Sequence, residues 1–334
     1  MIMSDVISAG NPEYNLLTFS WDLIDVCQYK CSYCSAMNFN VKRFLTNPEL
    51  KTAWRDVIKK LKLKSIRMPF AVEILGGEPT LHPDIDQIIN SLCEVDNCIQ
   101  IDLITNLAKP VKFYKQFNNP KNSKLAIEAS FHPEYDVDGY KNKVVELNNC
   151  EHITIYPNIN LPTDKHAWPV TLDLIAYLQD NDVKVGLNFL QDVQQGEIGS
   201  WTSSYPEEFW DVFEEHLTPL GYKRSQSDGT KQQAMLFLKS HAGSTTIDIP
   251  YQFINGTSKR LSEAEINRFD LRRFEGWNCR AMMYHIDMSG NIKHHCTGED
   301  IPAYKLNKTN LTCSVICPLE RCDCDTKFLY VKSK

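Results

Sequence analysis

The sequence lacks several features that would assign it to a broad class of proteins. It has no run of about 18 apolar residues, so we expect no membrane-spanning helix. It begins MIMSDVISAGNPEYN, without a basic stretch followed by an apolar one, so we expect no signal peptide and a cytoplasmic location. Basic residues are not in excess, because 36 Lys and Arg stand against 42 Asp and Glu, a net charge of −6. This balance does not favour a nucleic-acid partner.

Cysteine, by contrast, is abundant. The chain has 12 cysteines in 334 residues, and in an intracellular protein these point to metal binding or catalysis rather than to disulfides. Cys27, Cys31 and Cys34 form one group, and a second group follows residue 278. The three that lie apart, Cys93, Cys98 and Cys150, are best interpreted as small apolar residues of the core.

Residues 1–192 show the pattern of an α/β domain. Six apolar or β-branched runs alternate with helical patterns, as in parallel strands that are covered on both faces. The runs are LLTFSWDLI, FAVEIL, IQIDLIT, LAIEASF, ITIYPNINL and KVGLNFL. The clearest helix pattern covers residues 48–63, and others start near Asp84, Val111, Asp138 and Trp168. Six β-α units are too few for a closed eight-stranded barrel, so we predict an open, partial (β/α)6 barrel.

The pattern changes after residue 192. Residues 193–275 are polar and mixed, and we interpret them as a connecting or substrate-binding region with a helix over 206–217 and hairpins at SDG and NG. Residues 276–334 have few helix signals but contain six cysteines, so we expect this third unit to fold around metal.

The segment CQYKCSYC, residues 27–34, places three cysteines directly after the first predicted strand. Parallel α/β barrels place their active sites at this end of the strands. Thiolates suit zinc or iron–sulfur clusters. A structural zinc needs four ligands, and no fourth lies nearby in sequence, whereas a [4Fe–4S] cluster held by three cysteines leaves one iron open for another ligand. A zinc site completed from elsewhere in the chain is the alternative.

A second motif sharpens this interpretation. The second predicted strand ends in LGGEPTL, and C-x3-C-x2-C followed by Gly-Gly-Glu-Pro resembles the radical S-adenosylmethionine (radical SAM) superfamily. The resemblance covers roughly residues 15–192. It implies that Cys27, Cys31 and Cys34 hold three irons of a [4Fe–4S] cluster and that S-adenosyl-L-methionine binds the fourth. A flavodoxin or ferredoxin is the implied electron donor.

The resemblance also implies cofactor-binding residues at the strand ends. The backbone of Gly76, Gly77 and Glu78, followed by Pro79, would bind the amino group of S-adenosylmethionine. Glycine suits this position because a side chain would keep the backbone away from the ligand. Further polar or aromatic side chains that could face S-adenosylmethionine or substrate are Tyr33, Thr105, Asn106, Ser130, His132, Asn158, Asn160, Asn188 and Gln191. Hydrogen bonds that cap loops are the alternative role for those at strand ends.

The C-terminal cysteines resemble a SPASM or twitch domain, the auxiliary-cluster unit of many radical SAM enzymes. Cys279 and Cys296 flank a predicted hairpin that turns at MSGN, and Cys317, Cys322 and Cys324 follow. Cys279, Cys296 and two or three of the other cysteines would make a four-thiolate site for one auxiliary [4Fe–4S] cluster, and Cys313 is not needed. A zinc ribbon at the same cysteines is the alternative.

Several functions fit this pattern. The first hypothesis is oxidation or rearrangement of a small metabolite such as a sugar or aminosugar, with the auxiliary cluster as electron acceptor and His132 or His295 as base. Only 26 residues precede Cys27, too few for an N-terminal peptide-recognition domain. A maturase that crosslinks or epimerises a ribosomally made peptide is the second hypothesis. An RNA-modifying enzyme is disfavoured by the net charge, and a simple electron-transfer protein by the Gly-Gly-Glu-Pro loop.

Overall fold

The computed structural model of the chain describes most of the predicted α/β region and parts of the remainder. The described residues are 2–10, 16–34, 43–62, 66, 68–189, 193–194, 197–198, 206, 208–209, 211–212, 249–261, 266, 271–299, 314–320, 322 and 330–334. Within these residues, no helix has the length and apolar character needed to cross a membrane.

Strands and helices are numbered in chain order. The strands are β1 (Val6–Ala9), β2 (Leu17–Ile24), β3 (Phe70–Gly76), β4 (Cys98–Thr105), β5 (Leu125–Phe131), β6 (Thr154–Leu161), β7 (Gly186–Phe189), β8 (Val193–Gln194), β9 (Glu197–Ile198), β10 (Ile249–Phe253), β11 (Ser258–Leu261), β12 (Asn278–Cys279), β13 (Met283–Ile286), β14 (Ile292–His294), β15 (Val315–Ile316) and β16 (Lys332–Ser333). The helices are α1 (Arg43–Thr46), α2 (Trp54–Leu61), α3 (Ile85–Cys93), α4 (Val111–Lys115), α5 (Val137–Asn148) and α6 (Trp168–Asp180).

The six apolar runs form six parallel strands, as the sequence predicts. β2 to β7 pair in chain order, and a helix lies between successive strands from β2 onward. One sheet face is apolar and buried, with Phe19, Val72, Ile101 and Ile127 at 0% exposure. The fold is therefore a mixed α/β structure built on a parallel sheet, and it places all six strand ends at one edge.

The first long helix is shorter than predicted. The sequence pattern starts at Pro48, but α2 begins at Trp54. The Asn47 side chain accepts a bond of 3.0 Å from the Glu49 amide, and the amides of residues 50–52 bond three residues back instead of four. This local side-chain acceptor favours successive turns over a regular helix. The predicted helix over 206–217 is only partly described, and residues 208–209 and 211–212 are helical.

The C-terminal hairpin joins the parallel sheet. β13 and β14 pair antiparallel, as predicted, and β13 pairs in parallel with β2. The Lys60 Nζ atom donates a bond of 2.7 Å to the Gly290 carbonyl, which fixes the hairpin turn against α2. The hairpin thus contributes two strands to an eight-stranded sheet, while the three-unit boundaries at residues 192 and 275 stay a prediction.

A second sheet combines distant parts of the chain. Its strand order is β11-β10-β1-β16-β12-β15, so the N-terminal strand lies between residues 249–253 and the last residues of the chain. β10 and β11 form the hairpin predicted at Asn255 and Gly256. The SDG segment lies outside the described residues.

Candidate functional site

A cavity of about 410 Å³ lies at the carboxyl ends of the parallel strands. Its lining includes the predicted cysteine and glycine loops together with groups from β4 and β5. The lining residues are Asp25, Cys27, Tyr29, Lys30, Cys31, Cys34, Leu75, Gly76, Gly77, Glu78, Ile104, Thr105, Asn106, Ser130 and His132. The two motifs therefore meet at one edge of the sheet, as their positions after apolar runs predict.

The two glycines allow the second loop to pack directly on the first. The Gly77 amide donates to the Ile24 carbonyl at 2.7 Å, and the Glu78 amide donates to the Val26 carbonyl at 2.8 Å. A Cβ atom on Gly76 would lie 2.2 Å from the Ile24 oxygen, and one on Gly77 would lie 2.3 Å from the Val26 oxygen. Gly76 also has φ +133°. The expectation that glycine is needed for ligand approach is thus incomplete, because contact with the strand before Cys27 already requires it.

The Glu78 carboxylate ties the glycine loop to the end of β4. Its Oε1 accepts from the Thr80 amide at 3.1 Å, the Thr80 hydroxyl at 2.6 Å and the Thr105 hydroxyl at 2.7 Å. Its Oε2 accepts from the Asn106 amide at 2.8 Å. Burial raises the pKa of Glu78, and these donors oppose the shift. Prediction from the motif covers only the Glu78 backbone, whereas the structure gives the side chain a role in positioning Thr105 and Asn106.

Hydrogen-bond donors surround the cysteine sulfurs. The Tyr29 amide donates to Cys27 Sγ at 3.3 Å, and Asn106 Nδ2 lies 3.6 Å from the same sulfur. Burial raises the pKa of Cys27 and raises that of Cys31 to about 11. The metal-free thiols of Cys27 and Cys31 are therefore protonated at neutral pH, and metal binding must displace those two protons.

A segment after β5 holds the cysteine loop in place. The Tyr135 hydroxyl accepts from the Lys30 amide, and the Glu134 carboxylate accepts from the Ser32 amide at 3.2 Å and from its hydroxyl. The Tyr29 and Tyr135 rings stack at 3.7 Å. Sequence reasoning did not identify Tyr29, Glu134 or Tyr135. The available signal was that HPEY directly follows an apolar strand, as the cysteine loop does.

His132 lies between a cysteine and a tyrosine. Its Nδ1 is 3.4 Å from Cys31 Sγ and 2.9 Å from the Tyr33 hydroxyl, and its ring stacks on Tyr33 at 6.0 Å. Burial lowers the pKa of His132 to about 4, so the imidazole is neutral. Tyr29 lines the cavity, whereas Tyr33, which the resemblance predicts near the cofactor, contacts His132 and is not part of the described cavity lining.

The remaining predicted residues have different positions. Ser130 lines the cavity, whereas Pro79 is buried at the start of a short 3₁₀ helix. Asn158 Nδ2 donates to Glu128 at 3.1 Å, and Asn160 Nδ2 donates to the Phe131 carbonyl at 2.8 Å. Asn188 belongs to β7, but its side chain lies outside the described part of the chain, as does Gln191. His295 follows β14, and its amide donates to the Met283 carbonyl at 3.1 Å. Roles for all of these residues stay predictions.

Four C-terminal cysteines lie near one another in the core. Cys279, Cys317 and Cys322 are buried, and Cys296 packs against the same cluster. Burial raises the pKa of Cys279 to about 12, and the thiols of Cys296, Cys317 and Cys322 act in the same direction. The structure therefore brings together four of the five predicted ligands, while Cys324 and the extra Cys313 lie outside the described residues.

Both cysteine groups have the donor type that iron–sulfur clusters require. In the described ranges, no three His, Cys, Asp or Glu side chains are close enough to hold one metal ion. A site for a single metal ion needs ligands that close together, because tetrahedral zinc brings its sulfur ligands within about 3.8 Å of one another. A four-iron cluster instead lies between its cysteines and does not require their sulfurs to be that close. The first group, with three thiols on one cavity wall, fits a cluster with an open iron.

Comparison with known proteins gives partial alignments. No family model matches the chain. An S-adenosylmethionine-dependent nucleotide dehydratase from Fibrobacter sp. (strain UWH6) is 34% identical over 99 residues, which are 27% of each chain. A GTP 3',8-cyclase from Listeria monocytogenes (strain EGD-e) is 24% identical over 194 residues, 54% of this chain and 56% of that protein. The chain thus spans between a quarter and about half of these curated relatives.

Alignment with a solved structure covers more of the chain. The crystal structure of SuiB from Streptococcus suis is 13% identical, with a TM-score of 0.48 over 89% of this chain and 64% of that one. The two motifs, the sheet that brings them together and the curated relatives agree with the resemblance of the chain to the radical SAM superfamily.

Proposed function

We propose that the chain is an enzyme that abstracts hydrogen from a small metabolite, of the sugar or aminosugar kind, and oxidises or rearranges it. The observation that carries the proposal is the convergence of Cys27, Cys31 and Cys34 with the Gly76–Glu78 loop on one cavity. In this proposal β2–β7 form a partial (β/α)6 barrel, and the C-terminal cysteines form a twitch-like domain.

The chemistry would come from the bound groups. When present, the cluster and S-adenosylmethionine supply a 5'-deoxyadenosyl radical that removes a substrate hydrogen. Cys27, Cys31 and Cys34 would hold three irons, and the Gly76–Glu78 backbone would bind the methionine amino group. An electron donor such as a flavodoxin or ferredoxin would be needed as partner.

The chain's own residues position these groups and limit water. Glu78 fixes the end of β4 to the glycine loop, and Tyr135 and Glu134 fix the backbone of the cysteine loop. Amide donors at Cys27 would stabilise a thiolate there. Leu75 and Ile104 give the cavity an apolar wall, which favours a dry site for a reactive intermediate.

The C-terminal cysteines would hold the auxiliary cluster. The three buried thiolates of Cys279, Cys317 and Cys322, together with the partly buried Cys296, could bind all four irons, and electron transfer needs no open iron. We therefore assign this cluster to accept an electron from the substrate radical.

A nucleotide is the second candidate substrate. The two curated relatives named above carry nucleotide and GTP activities in their names. Because the alignments cover only part of each relative, the similarity leaves open whether their substrates are shared.

Anaerobic reconstitution with iron and sulfide tests the proposal. The wild-type protein is expected to bind about eight irons and, with dithionite, to convert S-adenosylmethionine to 5'-deoxyadenosine. The triple variant C27A/C31A/C34A should retain about four irons and form no 5'-deoxyadenosine. Cys150→Ala, which lies in neither cysteine group, is the matched control and should behave as wild type. 5'-Deoxyadenosine formation by the triple variant, or stoichiometric zinc without iron in the wild type, would refute the proposal.

A further inference from the structure

A second cavity adjoins the proposed cofactor site. It has a volume of about 250 Å³ and is lined by Asp22, Ile24, Asp25, Gly76, His285, Asp287, Met288 and Ser289. Asp25 and Gly76 line both cavities. A molecule in the second cavity would therefore lie next to whatever occupies the first.

The C-terminal hairpin supplies the only histidine on the wall of this cavity as far as the described residues show. β13 places His285 in register with Ser20, which is itself in register with Glu73 and then Asp102. Residues in register on a sheet share a face. His285 thus begins a polar row on the sheet face opposite the apolar core.

His285 lies beside a carboxylate. Its Nε2 lies 3.4 Å from Asp22 Oδ2, the distance of a charge contact, and the two side chains are 29% and 30% exposed. The tautomer with its hydrogen on Nε2, on the side of Asp22, leaves Nδ1 with its lone pair, as in a histidine that can accept a proton. No hydrogen bond to Nδ1 occurs among the residues that the structure describes.

The surroundings of His285 carry several charges. Asp22 lies on β2, Asp287 follows on the same hairpin, Lys293 is opposite on β14, and the His295 ring is 6.4 Å away. The Asp287 carboxylate is occupied by the turn, where it accepts from the amides of Ser289 and Asn291 at 2.9 and 3.0 Å. His285 and Asp22 are the groups on this wall that we consider for contact with a ligand.

We propose, building on the function proposed above, that His285 held by Asp22 is a catalytic residue that accepts a proton from a substrate hydroxyl or ammonium group. In this step the substrate O–H or N–H bond breaks, an N–H bond forms at Nδ1, and Asp22 stabilises the imidazolium. The neighbouring carboxylates attract hydrogen-bond donors and repel phosphate. Lys30 is the single Lys or Arg among the described lining residues of the two cavities. The substrate of this site is therefore an amine- or hydroxyl-bearing molecule without phosphate.

Paired compounds test the substrate class. Reconstituted full-length protein is incubated with S-adenosylmethionine, dithionite and a library of amino sugars, aminocyclitols and polyols, each beside its phosphorylated counterpart, with guanosine and GTP as one pair. We expect at least one phosphate-free compound to raise 5'-deoxyadenosine formation about tenfold above the compound-free rate. Its phosphorylated counterpart should raise that rate less than about twofold. A phosphorylated member that stimulates as well or better overturns the inference, as does a library in which no phosphate-free compound stimulates.

Variants test the two residues with the stimulating compound. His285→Gln should lower the substrate-dependent rate about a hundredfold. Added imidazole should partly restore the rate of a His285→Ala variant, because it can accept the same proton. Asp22→Asn should lower the rate less than H285Q does, because the imidazole side chain stays in place. His152→Gln is the matched control, since His152 also faces a carboxylate, Glu151, at 3.8 Å. An H285Q rate within about twofold of wild type, or no restoration of the His285→Ala variant by imidazole, overturns the assignment.

The experiments distinguish failure of the proposed function from failure of the inference about His285. Slow 5'-deoxyadenosine formation by the wild type without any compound tests the cofactor site alone, and its absence refutes the proposed function. If that background is present and the compound or variant results are negative, only the role of His285 and the substrate class are refuted.

Discussion

The two cysteine groups are built in opposite ways. Cys27, Cys31 and Cys34 lie on a loop at the carboxyl end of a parallel sheet, beside a cavity of about 410 Å³, and polar contacts from neighbouring loops hold them. Cys279, Cys317 and Cys322 are buried in an apolar core among short antiparallel strands. A metal site that must admit another ligand needs a loop that leaves space beside the metal, whereas the ligands of a closed site can also be part of the hydrophobic core. Cysteine therefore borders an accessible cavity in one region and is buried in the core in the other.

The largest effect is expected from replacing Cys279 and Cys296, the two cysteines that flank the β13–β14 hairpin. In C279A/C296A the auxiliary cluster should be lost, leaving about four irons. Deuterium should still move from a labelled substrate into 5'-deoxyadenosine, because the first cavity is intact, while oxidised product should fall by at least about a hundredfold, well beyond the usual loss from one removed interaction. Iron analysis and product quantification check this. A folded variant without the second cluster that forms product at the wild-type rate would exclude the acceptor role.

The glycine loop gives the next largest effect. Gly77→Ala puts a Cβ atom 2.3 Å from the Val26 oxygen, so the loop must separate from the strand before Cys27. We expect a stability loss of about 3 kcal/mol and weaker iron binding at the first site alone. Urea unfolding and iron analysis measure these.

Gly256→Ala is a control that introduces a side chain at a positive φ without a steric clash. Gly256 has φ +80°, and a Cβ atom added there would meet no atom within 4 Å, so its replacement should cost only about 1 kcal/mol. Equal losses in the two variants would show that contact with Val26 is unimportant.

The polar row that includes Glu73 predicts that the stability of the protein depends on pH. Burial, then Asp102 and Glu128, raise the pKa of Glu73 to about 7 from the ordinary value of 4.5. Between these values the folded protein keeps a proton that the unfolded chain has released. The resulting stability is present below pH 4.5 and is lost as pH rises through about 7.

Glu73→Gln tests this dependence. The wild type should lose up to about 3 kcal/mol from this group between pH 5 and pH 8, and the variant should lose correspondingly less. Urea unfolding of the metal-free protein at the two pH values is the measurement. Identical pH dependence in both proteins would show that Glu73 is not buried as a neutral acid.

The sequence predicts more of the first region, the parallel sheet with Cys27–Cys34, than of the second region, the sheet near the C-terminal cysteines. Each parallel strand is one continuous apolar run, so β2–β7 and the meeting of the two motif loops followed from local pattern. The second sheet did not, because its strands have two to five residues and pair residues 6–9 with residues 249–253 and 332–333. Such pairings leave little periodic signal.

The same limit applies within the site. Cys27, Cys31 and Cys34 are recognisable by spacing, but the contacts of Glu134 and Tyr135 depend on how the end of β5 meets the end of β2. His285 also reaches its cavity only because β13 adds to β2, a pairing across most of the chain. Motifs identify the ligands, while tertiary structure selects the residues that support them.

The smallest expected effect concerns the support of the cysteine loop. Tyr135→Phe removes the hydroxyl that accepts from the Lys30 amide but keeps the ring stacked on Tyr29. One lost hydrogen bond should cost about 1 kcal/mol, or roughly a fivefold faster loss of the first cluster to a chelator, with the second cluster unaffected. Tyr177→Phe, whose ring contacts Lys141, is the control. Equal release from both clusters would mean that the loop is held by its sulfurs alone, and the contrast between a supported loop and a buried core site would then disappear.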